Sequence, residues 1–499
     1  MSGINESKLD GNDKNNERLY SRQKFIRALG LGTSATLLQK SLFAAYGNGN
    51  AKKKPNILFI AVDDLRPQLG CYGHTQMISP NIDRLAAQSV VFTRSFCNIP
   101  VCGASRASVL SGVRPTRNRF IDWYSRVDED LPGALTLPKH LKQNGYYTAS
   151  IGKVYHDSDD DITSWNEAPF RLEESRYLTK ENIEIFKSNL QAAQGRRGPA
   201  YEAADADDNE YADGLYAEKA ISSLQRLKQK DQPFFLSVGF TRPHLPFNAP
   251  EKYWNLYRRE YLNLADNTVR PKGVPDAALH NWSELRKYAD IPQTGPLSDG
   301  MALTLIHGYY ASVSYIDAQV GRLLNELERL NLDDNTIVVL WGDHGWQLGD
   351  HGMWCKHSNF QTSLQAPLII KAPGINGGKK TSGLTEFVDI YPSLCELCGL
   401  ELPDHIEGAS FVPLLKDPNK PWKESVFSRY HNGDSIRTDR YLYTEWTNDE
   451  KEIYARMLYD HNSDPTENIN ISERPENSKV VEKLSRMLRE GWRATCSSN

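Results

Sequence analysis

The stretch Asn56-Ile57-Leu58-Phe59-Ile60-Ala61-Val62-Asp63-Asp64 is a near-continuous apolar run that ends in two acids. A strand with one wet face alternates apolar and polar residues. A run without that alternation reads as a strand covered on both faces, the habit of parallel sheets. Leu65-Arg66-Pro67 follows at once and breaks the run. Neighbouring side chains of a regular strand point to opposite faces, so Asp63 and Asp64 converge only if the strand ends there. Acids at the C-terminal end of a buried strand occupy the place where open α/β sheets bind ligands. Taken alone, the pair is explained equally well by a helix-capping Asp with a solvated neighbour.

The same design recurs along the chain. Tyr146–Ile151 is a strand followed by Gly152-Lys153-Val154-Tyr155-His156, with Lys153 and His156 close enough to face one ligand if the segment turns. Pro233–Phe240 runs into Thr241-Arg242-Pro243-His244-Leu245-Pro246, which frames His244 between prolines. Thr336–Trp341 is followed by Gly342-Asp343-His344-Gly345. Val90–Phe92 and Ala366–Lys371 are further strands, and helical patterns fall at 80–89, 135–144, 213–230, 308–330 and 387–400. Strands alternating with helices predict an α/β fold, a large and mostly parallel sheet sandwiched by helices with its polar strand ends on one edge. Residues 188–212 read as a surface insertion, and 255–300 as a long loop region able to shape a pocket. Beyond Asp417-Pro418-Asn419-Lys420-Pro421 the pattern changes to short antiparallel strands and a terminal amphipathic helix. The expected divisions are an N-terminal segment 1–50, a catalytic domain 54–416 and a smaller α+β subdomain 422–499.

The chain has 499 residues and a formal net charge of −4. That balance argues against a general nucleic-acid binder, so an anionic substrate would need a local basic pocket. Met1–Glu17 is polar and expected to be disordered. Ser21-Arg22-Gln23-Lys24-Phe25-Ile26-Arg27 and the apolar stretch Ala28–Ala45 look like a twin-arginine export signal with Gln23 in place of the second Arg. Gln39 and Lys40 interrupt that stretch, which is too short and polar for a membrane span. Export to a bacterial periplasm or beyond is expected, with no integral membrane segment in the mature chain. The seven cysteines show no dense disulfide spacing, and Cys395-x-x-Cys398 reads as the packed face of a helix.

One further stretch carries chemistry: Cys97-Asn98-Ile99-Pro100-Val101-Cys102-Gly103-Ala104-Ser105-Arg106. A Pro-broken segment delivers Cys102 to the start of a helix, in positive potential, and Arg106 sits one turn on along the same face. Both could address one anionic ligand. A lone cysteine is more often a small buried hydrophobe. Among the strand ends, crowded carboxylates repel, and a divalent cation with oxygen ligands, Ca²⁺ or Mg²⁺, removes that problem.

Together these motifs resemble type I sulfatases of the alkaline-phosphatase/sulfatase-like fold, over residues 54–495. The resemblance rests on Asp63-Asp64, the Cys102-to-Arg106 signature with Ala104 where Pro is commoner, Gly152–His156, Arg242-Pro243-His244, Trp341–Trp346 and Trp354-Cys355-Lys356-His357-Ser358-Asn359. His344, where many sulfatases have Asn, makes the iduronate-2-sulfatase-like branch the nearest. The resemblance implies that Cys102 becomes formylglycine through a maturase, and that Asp63, Asp64, Asp343, His344 and residue 102 hold Ca²⁺. Arg106, Lys153, His244 and Lys356 would neutralise the sulfate, Lys356 or His244 would protonate the leaving oxygen, and His156 would take the proton that expels sulfate. The substrate implied is a sulfated oligosaccharide attacked from its end, a 2-O-sulfated uronate first. An algal polysaccharide fragment such as ulvan, with sulfated rhamnose, is the alternative. A phosphoester or phosphonate hydrolase and a non-catalytic sulfated-glycan-binding protein are further readings.

Overall fold

The main sheet comprises β1 (Asn56–Val62), β2 (Val90–Phe92), β3 (Tyr147–Gly152), β4 (Phe234–Phe240), β5 (Thr336–Gly342), β6 (Leu368–Lys371) and β7 (Lys379–Thr381). Their spatial order is β7-β2-β6-β5-β1-β4-β3. The computed structural model describes residues 53–172, 177–191 and 197–495. The expected export segment at Ser21–Ala45 and Cys496 lie outside them.

β3, β4, β1 and β5 run parallel, whereas β6 is antiparallel to both of its neighbours. The reading of the first strand holds residue by residue. Leu58, Ile60 and Val62 enter the apolar core on one face of the sheet, and Ile57, Phe59 and Ala61 enter the core on the other. Two-sided burial is why the run shows no polar alternation. Helix α1 (Cys102–Ser111) belongs to the second face, through Ala104, Ala107 and Leu110. Helices α2 (Ala212–Lys228) and α3 (Asp299–Arg329) cover the first, and α4 (Ile390–Cys398) returns to the second. Cys395 and Cys398 are buried in that helix, and all six described cysteines are free. They pack, as their spacing suggested.

Residues 188–212 are a correction. Tyr201–Ala204 is a strand paired in parallel with Phe247–Pro250, and Glu202 inside it is buried. The carboxylate of Glu202 accepts hydrogen bonds from Leu178 N–H, Thr179 and Tyr211, so an acid that read as a surface signal is an internal tie.

The last part of the chain forms an antiparallel meander of β8 (Ser425–Tyr430), β9 (Gly433–Thr438), β10 (Tyr441–Thr447) and β11 (Ile453–Asp460). Helix α5 (Ser478–Glu490) seals one face, with Leu484 packed among Ile436, Tyr443 and Leu458. Among the described residues, no helix is long and apolar enough to cross a membrane.

The parallel pair β3 and β4 closes tightly at its C-terminal end. Gly152 has φ +71°, a conformation that side chains oppose, and a Cβ on Gly239 would overlap the Lys153 carbonyl. The Lys153 N–H in turn donates to the Gly239 carbonyl at 2.8 Å. These contacts hold the segment after β3 against the sheet edge. Gly239→Ala is expected to lower the unfolding free energy by about 1–3 kcal/mol through overpacking, measured by chemical denaturation. Unchanged stability would show that the two strands part freely there.

Candidate active site

β1 ends at Val62, and Asp64 has left the extended conformation, with φ 58°. The alternation of the strand therefore stops and both carboxylates serve one point. Asp63 accepts hydrogen bonds from Lys153 Nζ and, at 3.4 Å, from Arg106 Nη2. Asp64 Oδ1 accepts from Lys356 Nζ at 2.7 Å. The neighbouring strand β5 delivers Asp343, whose Oδ1 accepts the Asp64 backbone N–H at 3.0 Å and whose Oδ2 accepts from Arg106 Nε at 2.9 Å. All three acids are fully buried. Burial would push the Asp63 carboxyl up, but Lys153 and Arg106 outweigh it and hold it well below the usual carboxylate range. Asp64 goes the other way: burial, reinforced by repulsion from Asp63, raises it against the pull of Lys356.

Arg106 sits deeper than the sequence reading placed it. Its side chain is 0% exposed, and besides the two acids it donates to the carbonyls of Lys153 and Val154. The guanidinium thus lies behind the carboxylates and welds α1 to two strand ends. Ser105, its neighbour, donates to the Asp343 carbonyl at 2.6 Å.

Cys102 opens α1 with its Sγ 3.3 Å from His344 Nε2 and 3.2 Å from Lys356 Nζ. The helix terminus alone would favour a thiolate. Burial, with Asp63 beside it, instead pushes the thiol up to about 12. An unmodified Cys102 therefore stays protonated near neutrality and is a poor nucleophile.

The donor set fits a hard divalent cation. His344 Nδ1 lies 2.9 Å from the Gly345 carbonyl, which places the ring proton there and leaves the Nε2 lone pair facing inward. Nε2 is 3.5 Å from Asp64 Oδ1 and 3.6 Å from Asp343 Oδ1. Ligand atoms of Asp63, Cys102, Asp343 and His344 lie within 4.8 Å of one another. Asp64 Oδ2 is buried with no hydrogen-bond partner, an unsatisfied acceptor that a cation would satisfy. Carboxylate oxygens with one imidazole suit an oxygen-seeking ion.

A cleft of about 630 Å³ opens over this floor. Lys153, His156, His244 and Lys356 all line it, as do Glu284 and Tyr430. His156 is neutral, driven down to about 2 by burial and by Lys153. His244 Nδ1 lies 2.7 Å from the Leu245 carbonyl, and its Nε2 lies 3.0 Å from Glu284 Oε1. Both partners are acceptors, so whichever nitrogen carries the ring proton has one within reach. Burial and Lys356 outweigh the pull of Glu284 and lower that imidazole below its ordinary value. Lys356 sits between two left-handed residues, Cys355 (φ 73°) and His357 (φ 64°). The His357 ring stacks on Tyr430 of β8 with centroids 5.8 Å apart. Glu284 and Tyr430 are among the lining residues that sequence reasoning missed. A lone acid in the 255–300 loop and a Tyr at a strand end carry no spacing that would single them out.

Residues 55–400 match the sulfatase family, and 349–493 match the C-terminal region of N-sulphoglucosamine sulphohydrolase. The chain belongs to the sulfatase family. It is a sulfuric ester hydrolase, and sulfatases in general use a metal and a formylglycine residue. This sulfatase is similar to iduronate 2-sulfatase of Mus musculus, at 32% identity covering 86% of this chain and 92% of the relative. It is also similar to an ulvan-active sulfatase of Formosa agariphila, at 29% identity covering 93% of this chain and 86% of the relative. A structure solved in complex with its substrate D-glucosamine-2-N,6-O-disulfate matches with a TM-score of 0.68 and 25% identity, covering 88% of this sulfatase and 97% of that chain.

Replacing Arg106 with Met strands two buried carboxylates and is expected to cost about 3–5 kcal/mol of stability in chelator. Added Ca²⁺ should restore part of the loss, read by thermal melting with and without the ion. Equal melting of wild type and variant in chelator would show that the acids are balanced without Arg106.

Proposed function

We propose that this sulfatase removes sulfate from carbohydrate as an exo-acting enzyme, with Cys102 matured to formylglycine and a 2-O-sulfated uronate as its substrate. The convergence of His344 and of Lys356, which lines the cleft, on Cys102 Sγ carries this reading. Similarity to iduronate 2-sulfatase supports the uronate. Similarity to the ulvan-active sulfatase favours a sulfated algal sugar as the second reading.

Asp63, Asp64, Asp343 and His344 would hold Ca²⁺, or Mg²⁺, which would supply positive charge that acidifies the nucleophile's hydroxyl. Formylglycine supplies a geminal pair of hydroxyls, one to attack sulfur and one to let sulfate leave, which a lone Ser or Cys lacks. Lys153 and Lys356 face the cleft and neutralise the sulfate oxygens as charge builds on them. Lys356, or His244 when protonated, donates to the leaving sugar oxygen. His156 lines the same cleft and would take the proton from the remaining hydroxyl at residue 102 once the negative charge of bound sulfate raises the ring's hold on a proton. Arg106 acts through Asp63 and Asp343 as a positioning residue. Residues 54–416 carry this chemistry, the smaller unit 422–499 lends Tyr430, and the segment 21–45 directs export.

Mass spectrometry on the tryptic peptide spanning Cys102, from protein made with a competent maturase, should show aldehyde in place of thiol. Cys102→Ala should remain folded and lose sulfate release by about 10⁴-fold or more. A persistent thiol with sulfated-glycan binding intact would favour a binding protein, and faster cleavage of phosphate than sulfate esters would favour a phosphohydrolase.

A further inference from the structure

The cations of the cleft fall into two groups. Lys153 and Lys356 are each paired with an acid of the floor, Asp63 and Asp64. Arg171, Arg197 and Lys287 line the same cleft, and none has a carboxylate at ion-pair distance among the described residues. Arg171 donates to the His156 carbonyl at 2.5 Å. Arg197 donates to the Tyr288 hydroxyl at 3.0 Å and lies 5.4 Å from the centre of that ring. Its backbone N–H also donates to the Lys287 carbonyl at 2.6 Å, which ties the 197 and 287 segments together. Both guanidiniums are thus held in place by neutral oxygens, which fix their direction, and among the described residues neither is locked in a direct ion pair, Glu284 acting on Arg197 only from beyond ion-pair distance. Glu284 is the one carboxylate among the lining residues, and it faces His244 at 3.0 Å and Lys356 at 3.6 Å.

A sulfate monoester brings one negative charge, which the floor cations meet. We infer that Arg171 and Arg197, with Lys287 at the rim, form a second anion subsite that reads another negative group on the sulfated sugar. That group is a ring carboxylate or a second sulfate. Guanidinium favours both, because its planar fork matches either oxyanion with paired hydrogen bonds. This inference rests on the sulfatase reading of the cleft and deepens it: the cleft reads the second anionic group of its substrate as well as the sulfate ester.

The test compares three substrates: a methyl glycoside of 2-O-sulfated uronic acid, its carboxymethyl ester, and D-glucosamine-2-N,6-O-disulfate. Wild type should turn over the acid, or the disulfate, with kcat/KM about ten-fold or more above the singly charged ester. Arg171→Ala/Arg197→Ala should lose most of that preference, and Arg171→Lys/Arg197→Lys should keep part of it. A preference for the acid identifies a carboxylate reader, and one for the disulfate a sulfate reader. The proposal is overturned if wild type treats all three alike, or if the double Ala variant loses equally on all. Calorimetric binding of the same three compounds to the Cys102→Ala protein reads the preference without turnover. Preference in binding without any hydrolysis by wild type would sink the hydrolase reading and leave the subsite standing.

Discussion

Three fully buried carboxylates meet at one edge of the sheet, and their mutual repulsion is the constraint that the surrounding structure answers. Two such charges 4 Å apart cost about 4 kcal/mol at an effective dielectric of 20. Asp63 and Asp64 follow one strand, Asp343 follows the strand beside it, and the parallel pairing of β1 with β5 brings them level. Arg106 answers the repulsion from below, with separate nitrogens on Asp63 and Asp343 and others on backbone carbonyls. A lysine has no such fork, so it could not join both acids and the chain behind them at once. Lys153 and Lys356 answer from the cleft side. The acids are thus clamped between a buried cation and a pair of cations that line the cleft.

This layering separates roles that a sequence runs together. Arg106 and Lys153 are both cations near the same acids, yet only Lys153 lines the cleft. Cys102 lies in the favourable field of a helix terminus, yet burial and the acids keep its thiol protonated.

What the sequence made legible was whatever repeats with the geometry of a strand. An apolar run, a break and a polar residue mark the strand ends at Asp63, Lys153, His244 and Asp343, and the structure gathers these at one edge. The short strands after Pro421 were legible for the same reason. Glu284 sits in an isolated helical turn, Ser283–Arg286, and Arg171 and Arg197 in irregular segments, where neighbours in space are unrelated to spacing in sequence. Glu202 shows the opposite error: a polar composition hid a paired strand, because its carboxylate is satisfied by internal donors rather than water. The depth of Arg106 was also beyond reach, since helical spacing assigns a face and not a distance along it.

The stacking of His357 on Tyr430 has a consequence for the order in which the enzyme comes into being. The floor of the cleft is encoded between residues 63 and 356, but the ring that braces the loop beside Lys356 arrives more than seventy residues later. A ribosome-bound chain that has completed its parallel sheet still lacks that brace. The meander, remote in sequence and built on a different plan, thus supplies a late-synthesised part of the cleft wall.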